Sequence, residues 1–341
     1  MEFNRQHLLR ILESCAPGLN TKEAVEQSSC FILKQGTLLT YNGEILCTTT
    51  LVNESGEPFI AHGAIPAKPF LEVLRKSPDD QIELTAADDH ISIKGTGRRQ
   101  KIVMSADILL DVTEVETPGE FIDLPPIFSE ALNMAAGCTA KNSDNFALNC
   151  VAIGPKGLQA TDQYSALRFV VSTGRIGGPV LARGSSLKGI TGLGLAQASY
   201  GQDFVWFSTY SGTRVAVRLL ETEYPDLACI FKEPAICSFE LPGSVLDIIE
   251  RTVPFVAENA TGKFIKISLA DNLLTVTAAN TIGDFLEEKP IVYAGPSVSF
   301  TVNPETMVGL LRSGAAIEVT PSSLRTKGDG YCLVASASQE R

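Results

Sequence analysis

The chain has 341 residues, 44% of them hydrophobic and 20% charged, with 28 Lys and Arg against 39 Asp and Glu for a formal charge of −11. That is enough apolar material for two or three domains of ordinary size, and the acidic balance argues against a protein that coats nucleic acid or an anionic membrane by charge alone. No run approaches the roughly 18 apolar residues of a membrane helix. The opening MEFNRQHLLRIL places Glu2, Arg5 and Arg10 where a signal peptide needs an unbroken apolar stretch, so a cytoplasmic protein without membrane contact is expected.

Read in chain order, one series of elements occurs three times. It opens on an amphipathic helix, FNRQHLLRILESC from Phe3, and continues through a strand, a turn and a longer strand in GTLLTYNGEILCTTTLV. A second short helix follows in IPAKPFLEVLRKS, and the series closes on paired strands in QIELTAADDHISIKG. The second copy reads PPIFSEALNMAAGC from Pro125, KGLQATDQYSALRFVV, ARGSSLKGITGL and QDFVWFSTYSGTRVAVRLL. The third reads LPGSVLDIIERTV from Leu241, DNLLTVTAANTIGDFL, VNPETMVGLLRSG and AAIEVTPSSLRTKGDGYCLVAS.

The spacings agree on one period: Pro66, Ser185 and Asn303 are 119 and 118 residues apart, and Leu39, Leu158 and Leu274 are 119 and 116 apart. A period this long makes each copy a domain with its own core rather than a solenoid repeat. Three domains are expected, 1–118, 119–233 and 234–341, with Pro and Gly punctuating the boundaries near Thr117-Pro118-Gly119 and Lys232-Glu233-Pro234. Alternating runs around Ala87-Asp88-Asp89, Tyr210-Ser211-Gly212 and Lys327-Gly328-Asp329-Gly330 read as antiparallel hairpins. The class is therefore α+β, each domain carrying two short helices on one face of antiparallel sheet.

The polar faces of these helices carry cations in otherwise acidic surroundings: Arg10 on the first, Arg75 and Lys76 on the second, Lys188, Arg251 and Arg312 on their later counterparts. Glu13, Asp247, Glu250 and Glu305 share those faces. Chemistry of other kinds finds no motif. The eight cysteines are scattered with no C-x-x-C pair and read as buried free thiols. His7, His62 and His90 lack metal-ligand spacing, Asp88-Asp89-His90 reads as a turn, and there is no G-x-S-x-G elbow. Gly184-Ser185-Ser186 is read as the N-cap of a helix, Gly192-Leu193-Gly194 has no βαβ context for a dinucleotide loop, and Trp206 sits in a strand as core or sheet surface. No catalytic residue, metal or cofactor is expected.

Thr161-Asp162-Gln163-Tyr164-Ser165-Ala166-Leu167 after the central strand of the second copy, Tyr224-Pro225-Asp226 before the third, the opening FNRQHLLRIL and the helix NPETMVGLL together resemble the bacterial DNA polymerase III beta subunit, the sliding clamp family. The resemblance covers the whole chain in order. It implies a DNA clamp fold: three similar domains per chain, two chains head to tail in a ring, helices lining a hole through which duplex DNA passes without sequence preference. Arg10, Arg75, Lys76, Lys188, Arg251 and Arg312 would face that DNA. Ile102, Val103 and Met104 of one chain would meet Phe255 and Val256 of the next. DNA polymerase, a clamp loader and other proteins would dock a short peptide motif in a pocket of Leu148, Thr161, Tyr164, Ala166, Pro225, Cys229, Ile230, Asn303, Thr306, Val334, Ala335 and Ser336. The chain departs from the family pattern in having Ser165-Ala166 where an Arg-Leu pair is usual. The alternative function is a protein-binding scaffold of the same fold that no longer encircles DNA.

Overall fold

The computed structural model describes residues 1–23, 25–174, 177–256, 258–259, 262–312 and 316–339. Its elements follow the threefold series. The first copy runs β1 (Glu2–Asn4), α1 (Arg5–Ser14), β2 (Cys30–Lys34), β3 (Thr37–Tyr41), β4 (Ile45–Thr50), β5 (His62–Pro66), α2 (Ala67–Lys76), β6 (Gln81–Ala86), β7 (His90–Gly95) and β8 (Arg98–Val103). The second repeats the order as β9 (Ile122–Asp123), α3 (Phe128–Gly137), β10 (Cys150–Gly154), β11 (Gly157–Thr161), β12 (Ser165–Phe169), β13 (Val180–Arg183), α4 (Gly184–Ile190), β14 (Leu195–Tyr200), β15 (Phe204–Thr209) and β16 (Arg214–Arg218). The third begins β17 (Cys237–Phe239), α5 (Val245–Thr252) and inserts a small hairpin, β18 (Glu258–Asn259) and β19 (Gly262–Lys263). It then resumes as β20 (Ile265–Ala270), β21 (Leu273–Ala279), β22 (Asp284–Pro290), β23 (Val298–Val302), α6 (Pro304–Arg312), β24 (Ile317–Val319), β25 (Ser323–Lys327) and β26 (Tyr331–Gln339). The fold is α+β, antiparallel sheets with six short α-helices among the described residues.

The chain divides into two compact units, residues 1–133 with 172–221 and residues 134–171 with 222–341. In the first, one sheet runs β5-β2-β3-β4-β16-β15-β14-β9 and a second runs β1-β6-β7-β8. The side chain of Asn4 accepts from the free N–H groups of Gln6 and His7, which fixes the start of α1. α2 buries Ala67, Phe70, Leu71 and Leu74, a spacing of i, i+3, i+4 and i+7 that lays one stripe on the sheet. Phe70 meets Phe31 edge-on at 6.4 Å between ring centroids. Burying each of the three larger side chains contributes about 1.5–3 kcal/mol.

In the second unit the same stripe recurs on α5 as Val245, Ile248, Ile249 and Thr252, and α5 packs against α6. The long strand β26 organises this unit. Its first half lies between β12 and β25, and its end pairs with β23, from which β20, β21 and β22 follow. The N-cap expectation at Gly184-Ser185-Ser186 is corrected: Arg183 precedes the first turn without a side-chain cap, and those three residues are inside α4. Ser186 Oγ instead donates to Glu44 at 2.8 Å, which Arg183 also binds at 2.9 Å, because a long-range carboxylate offers a charge-assisted bond that a local cap does not.

One local device recurs in all three copies. The side-chain oxygen of Asn42 accepts from the N–H groups of Glu44 and Ile45, that of Asp162 from Tyr164 and Ser165, and that of Asn280 from Ile282 and Gly283. Each turn launches one strand, β4, β12 or β22. Two of these pair with the last strand of the following copy: β4 with β16, Leu46 opposite Ala216, and β12 with β26, Ala166 opposite Val334. β22 and β8 instead form sheet edges among the described residues.

Candidate functional site

The six cations expected on the helices are all exposed. Two are held by acids: Arg75 of α2 binds Glu13 of α1 at 2.8 Å, and Arg251 of α5 binds Glu287 of β22 at 2.7 Å. Lys76 lies 3.6 Å from Glu72, while Arg10 and Lys188 make no ion pair among the described residues. Arg312 lines a cavity of about 470 Å³ between α5 and α6 together with Ile249, Val253 and Val308.

The strand pairs β4–β16 and β12–β26 are two versions of one joint, each crossed by the linker between the two copies it joins: the segment after β8 at the first and the segment after β16 at the second. Asp111 and Asp226 mark equivalent points of the two linkers, each accepting from the N–H two residues on, Thr113 and Ala228, at 2.9 Å. Five residues later in each linker comes a carbonyl that the sheet captures. Trp206 Nε1 donates to the carbonyl of Glu116 at 3.1 Å, and Arg325 Nη1 donates to that of Phe231 at 3.2 Å and to Glu233 at 2.9 Å. Trp206 and Arg325 occupy the same place, opposite Ala216 and Val334. A tryptophan and an arginine share only a long side chain ending in an N–H donor.

The two joints differ in how much side chain they hold. The first contains Ile32, Tyr41, Leu46, Phe204 and Trp206, buried with Leu110. At the equivalent register the second contains Ala152, Thr161, Ala166, Ser323 and Arg325. Its apolar cluster is Ala166, Leu227, Phe231, Cys332 and Val334, with Tyr224 and Ile230 against it. Burial, and next the carboxylate of Glu114, push the Tyr41 phenol up to about 12, with Arg218 donating to the same oxygen at 2.8 Å. The second joint has no such plug: Thr161 Oγ1 donates to its own turn, at the carbonyl of Ser165, 2.7 Å away.

Of the expected pocket residues, Ala166, Ile230 and Val334 belong to this cluster. Leu148, Thr161 and Ala335 are buried; Pro225 is half-buried; Tyr164, Cys229 and Ser336 are exposed, the Ser336 N–H donating to the Tyr164 carbonyl at 2.6 Å. Asn303 and Thr306 are engaged at the start of α6, where Asn303 accepts from the N–H groups of Glu305 and Thr306. Sequence reading missed Tyr224, Leu227, Phe231 and Arg325. The repeated Asp of the two linkers was the available signal. The Tyr224 side chain packs against this cluster, and burial pushes its phenol well up, a contact with the Thr161 backbone opposing the shift.

Acid should loosen this joint. Hydrogen bonds from Thr320 and then Ser322 hold Glu233 below its ordinary value of 4.5, and for Glu318 burial is outweighed by Lys327 and Arg325, with the same net direction. A lowered folded-state value means stability that is present above the ordinary value and lost as pH falls through the folded one. The melting temperature of Glu233→Gln should therefore lie below that of the parent at pH 7, and the gap should narrow as pH drops past about 4.5. A gap independent of pH would remove the role given to this carboxylate.

At the expected chain-to-chain contact, Ile102 and Val103 lie on the edge strand β8, Val103 being 76% exposed. Met104 is 3% exposed, so a charge placed there would disturb the core before any contact. Phe255 and Val256 end the turn after α5; the edge beside them is β22, whose Phe285 packs on Phe255 at 5.8 Å between ring centroids.

No protein-family model and no curated protein matches the sequence. Among solved structures, the chain is similar to a putative DNA polymerase III beta subunit of Eubacterium rectale, with 18% identity, a TM-score of 0.79 and 98% of each chain covered. It is similar also to the DNA polymerase III subunit beta of Pseudomonas aeruginosa, at 16% identity, TM-score 0.81 and 100% of both chains, and to the beta chain of Streptococcus pneumoniae, at 16%, 0.81 and 100% and 99%. A further structure of this fold, with 16% identity and a TM-score of 0.81, is a Pseudomonas aeruginosa sliding clamp bound to griselimycin. The chain has the fold of these clamps from end to end. No helix among the described residues is long and apolar enough to cross a membrane.

Proposed function

We propose that the protein is a sliding clamp, a non-catalytic processivity factor that closes as a homodimer around duplex DNA in the cytoplasm and tethers DNA polymerase, its loader and other replication or repair proteins. The observation that carries this reading is the full-length match to DNA polymerase III beta subunits. The repeated joint adds support: four of six such strands are paired within the chain, and β22 and β8 are left as complementary edges for a second copy, which would close a ring of three-domain chains. The helix cations are few and partly neutralised, as suits a ring that slides rather than grips. Partners would dock an extended peptide at the second joint, where the small residues Thr161 and Ala166 stand in place of the side chains that plug the first and Tyr224 and Ile230 pack on an apolar cluster.

Protomers separated by dilution and reassembled with nicked circular duplex should co-elute with it at moderate salt and be shed once the DNA is linearised. Equal retention on circular and linear DNA would contradict encirclement, and no retention on either would favour the scaffold reading, for which the acid pairing of Arg75 and Arg251 is the supporting observation.

A further inference from the structure

We infer that the joint between two copies is an ion-paired latch in which Lys101 of one chain lies opposite Asp284 of the next, unlike the largely apolar joints within each chain; this rests on the ring reading above. The register comes from two markers that recur in every copy. On the first strand of each joint, the joint residue stands four positions after the turn-forming Asn or Asp: Leu46 after Asn42, Ala166 after Asp162, and so Asp284 after Asn280. On the last strand, it stands four positions before the residue bonded to the strand that enters the second helix. Leu220 bonds to Leu181, Thr301 pairs with Ser338, and Ser105 exchanges both bonds with Ala64, which gives Ala216, Val334 and Lys101. Leu46 does face Ala216, and Ala166 does face Val334. The same rule sets Asp284 against Lys101, Leu286 against Arg99 and Glu287 against Arg98.

The charges agree with that register. Arg98 and Glu287 already have partners in their own chain, Asp79 at 2.8 Å and Arg251 at 2.7 Å. Lys101 and Arg99 on β8, and Asp284 and Glu288 on β22, are exposed and make no ion pair among the described residues. Side chains alternate along a strand, so these four lie on one face of the joined sheet, with Arg99 diagonal to both Asp284 and Glu288. At the joints within the chain the corresponding pairs are Leu46 with Ala216, Cys47 with Val215, Ala166 with Val334 and Leu167 with Leu333. A ring closed this way opens at the joint between copies first as salt rises, because screening weakens exposed ion pairs and leaves apolar burial intact.

Sedimentation of two single variants tests the register. Lys101→Glu and Asp284→Lys should each raise the dimer dissociation constant about tenfold or more, since attraction becomes repulsion at both joints of the ring. Mixing the two variants should restore a dimer close to the parent's, because each joint of the mixed ring again holds opposite charges, and the parent's constant should rise with salt more steeply than that of the Lys101→Gln, Asp284→Asn variant. Both positions are exposed, and a circular dichroism melt checks that each variant is folded. A parent dimer indifferent to both reversals, or reversals that weaken it without recovery on mixing, would overturn the register while leaving the ring reading standing. A parent that stays monomeric at micromolar concentration would end both.

Discussion

Arg325→Ala should cost the protein about 3–5 kcal/mol of stability, among the largest losses expected from one substitution outside the apolar core, because it strips a buried charge network rather than a surface pair. The Arg325 side chain is 6% exposed. It bonds Glu318 at 2.5–2.6 Å and ties down the Phe231 and Glu233 carbonyls, so removing it leaves a half-buried carboxylate and two linker carbonyls short of a donor. Lys327, 2.9 Å from Glu318, offsets part of the loss. Urea unfolding followed by circular dichroism measures it, and a loss under about 1 kcal/mol would mean the linker is held by its apolar residues alone. Arg325→Lys should recover little, since one ammonium cannot reach a carboxylate and two carbonyls as the guanidinium fork does.

The second large effect is on binding. Thr161→Tyr combined with Ala166→Leu gives the second joint the side chains that Tyr41 and Leu46 supply at the first, where they are 1% and 4% exposed. An extended peptide with Leu and Phe anchors should bind the parent with roughly micromolar affinity, about 8 kcal/mol, most of it from one or two buried side chains. The filled variant should bind it at least a hundredfold more weakly while losing only about 1–3 kcal/mol of stability to overpacking. Calorimetric titration of both proteins decides the matter. Unchanged affinity in a folded variant would move the docking site elsewhere.

The amino-acid pattern by itself determined the threefold series, its period, the two helices per copy and the closing hairpins. Each of these is a local regularity: the i, i+3, i+4, i+7 stripe of Ala67, Phe70, Leu71 and Leu74, or the alternation of Ile82 and Leu84, records burial on one face of one element within a few residues. The family resemblance, rather than the pattern, pointed to Ala166, Ile230 and Val334, which the fold gathers into one apolar cluster. What the pattern left open was every relation between distant strands. Trp206 and Arg325 capture equivalent carbonyls of two different linkers, yet nothing local in a tryptophan or an arginine announces a like task across 90 or more residues. Which joint is plugged by large side chains, and that β22 and β8 stand at sheet edges among the described residues, were decided only by the tertiary structure, because a strand's partner is chosen by long-range register and side-chain volume, and neither is a property of the segment itself.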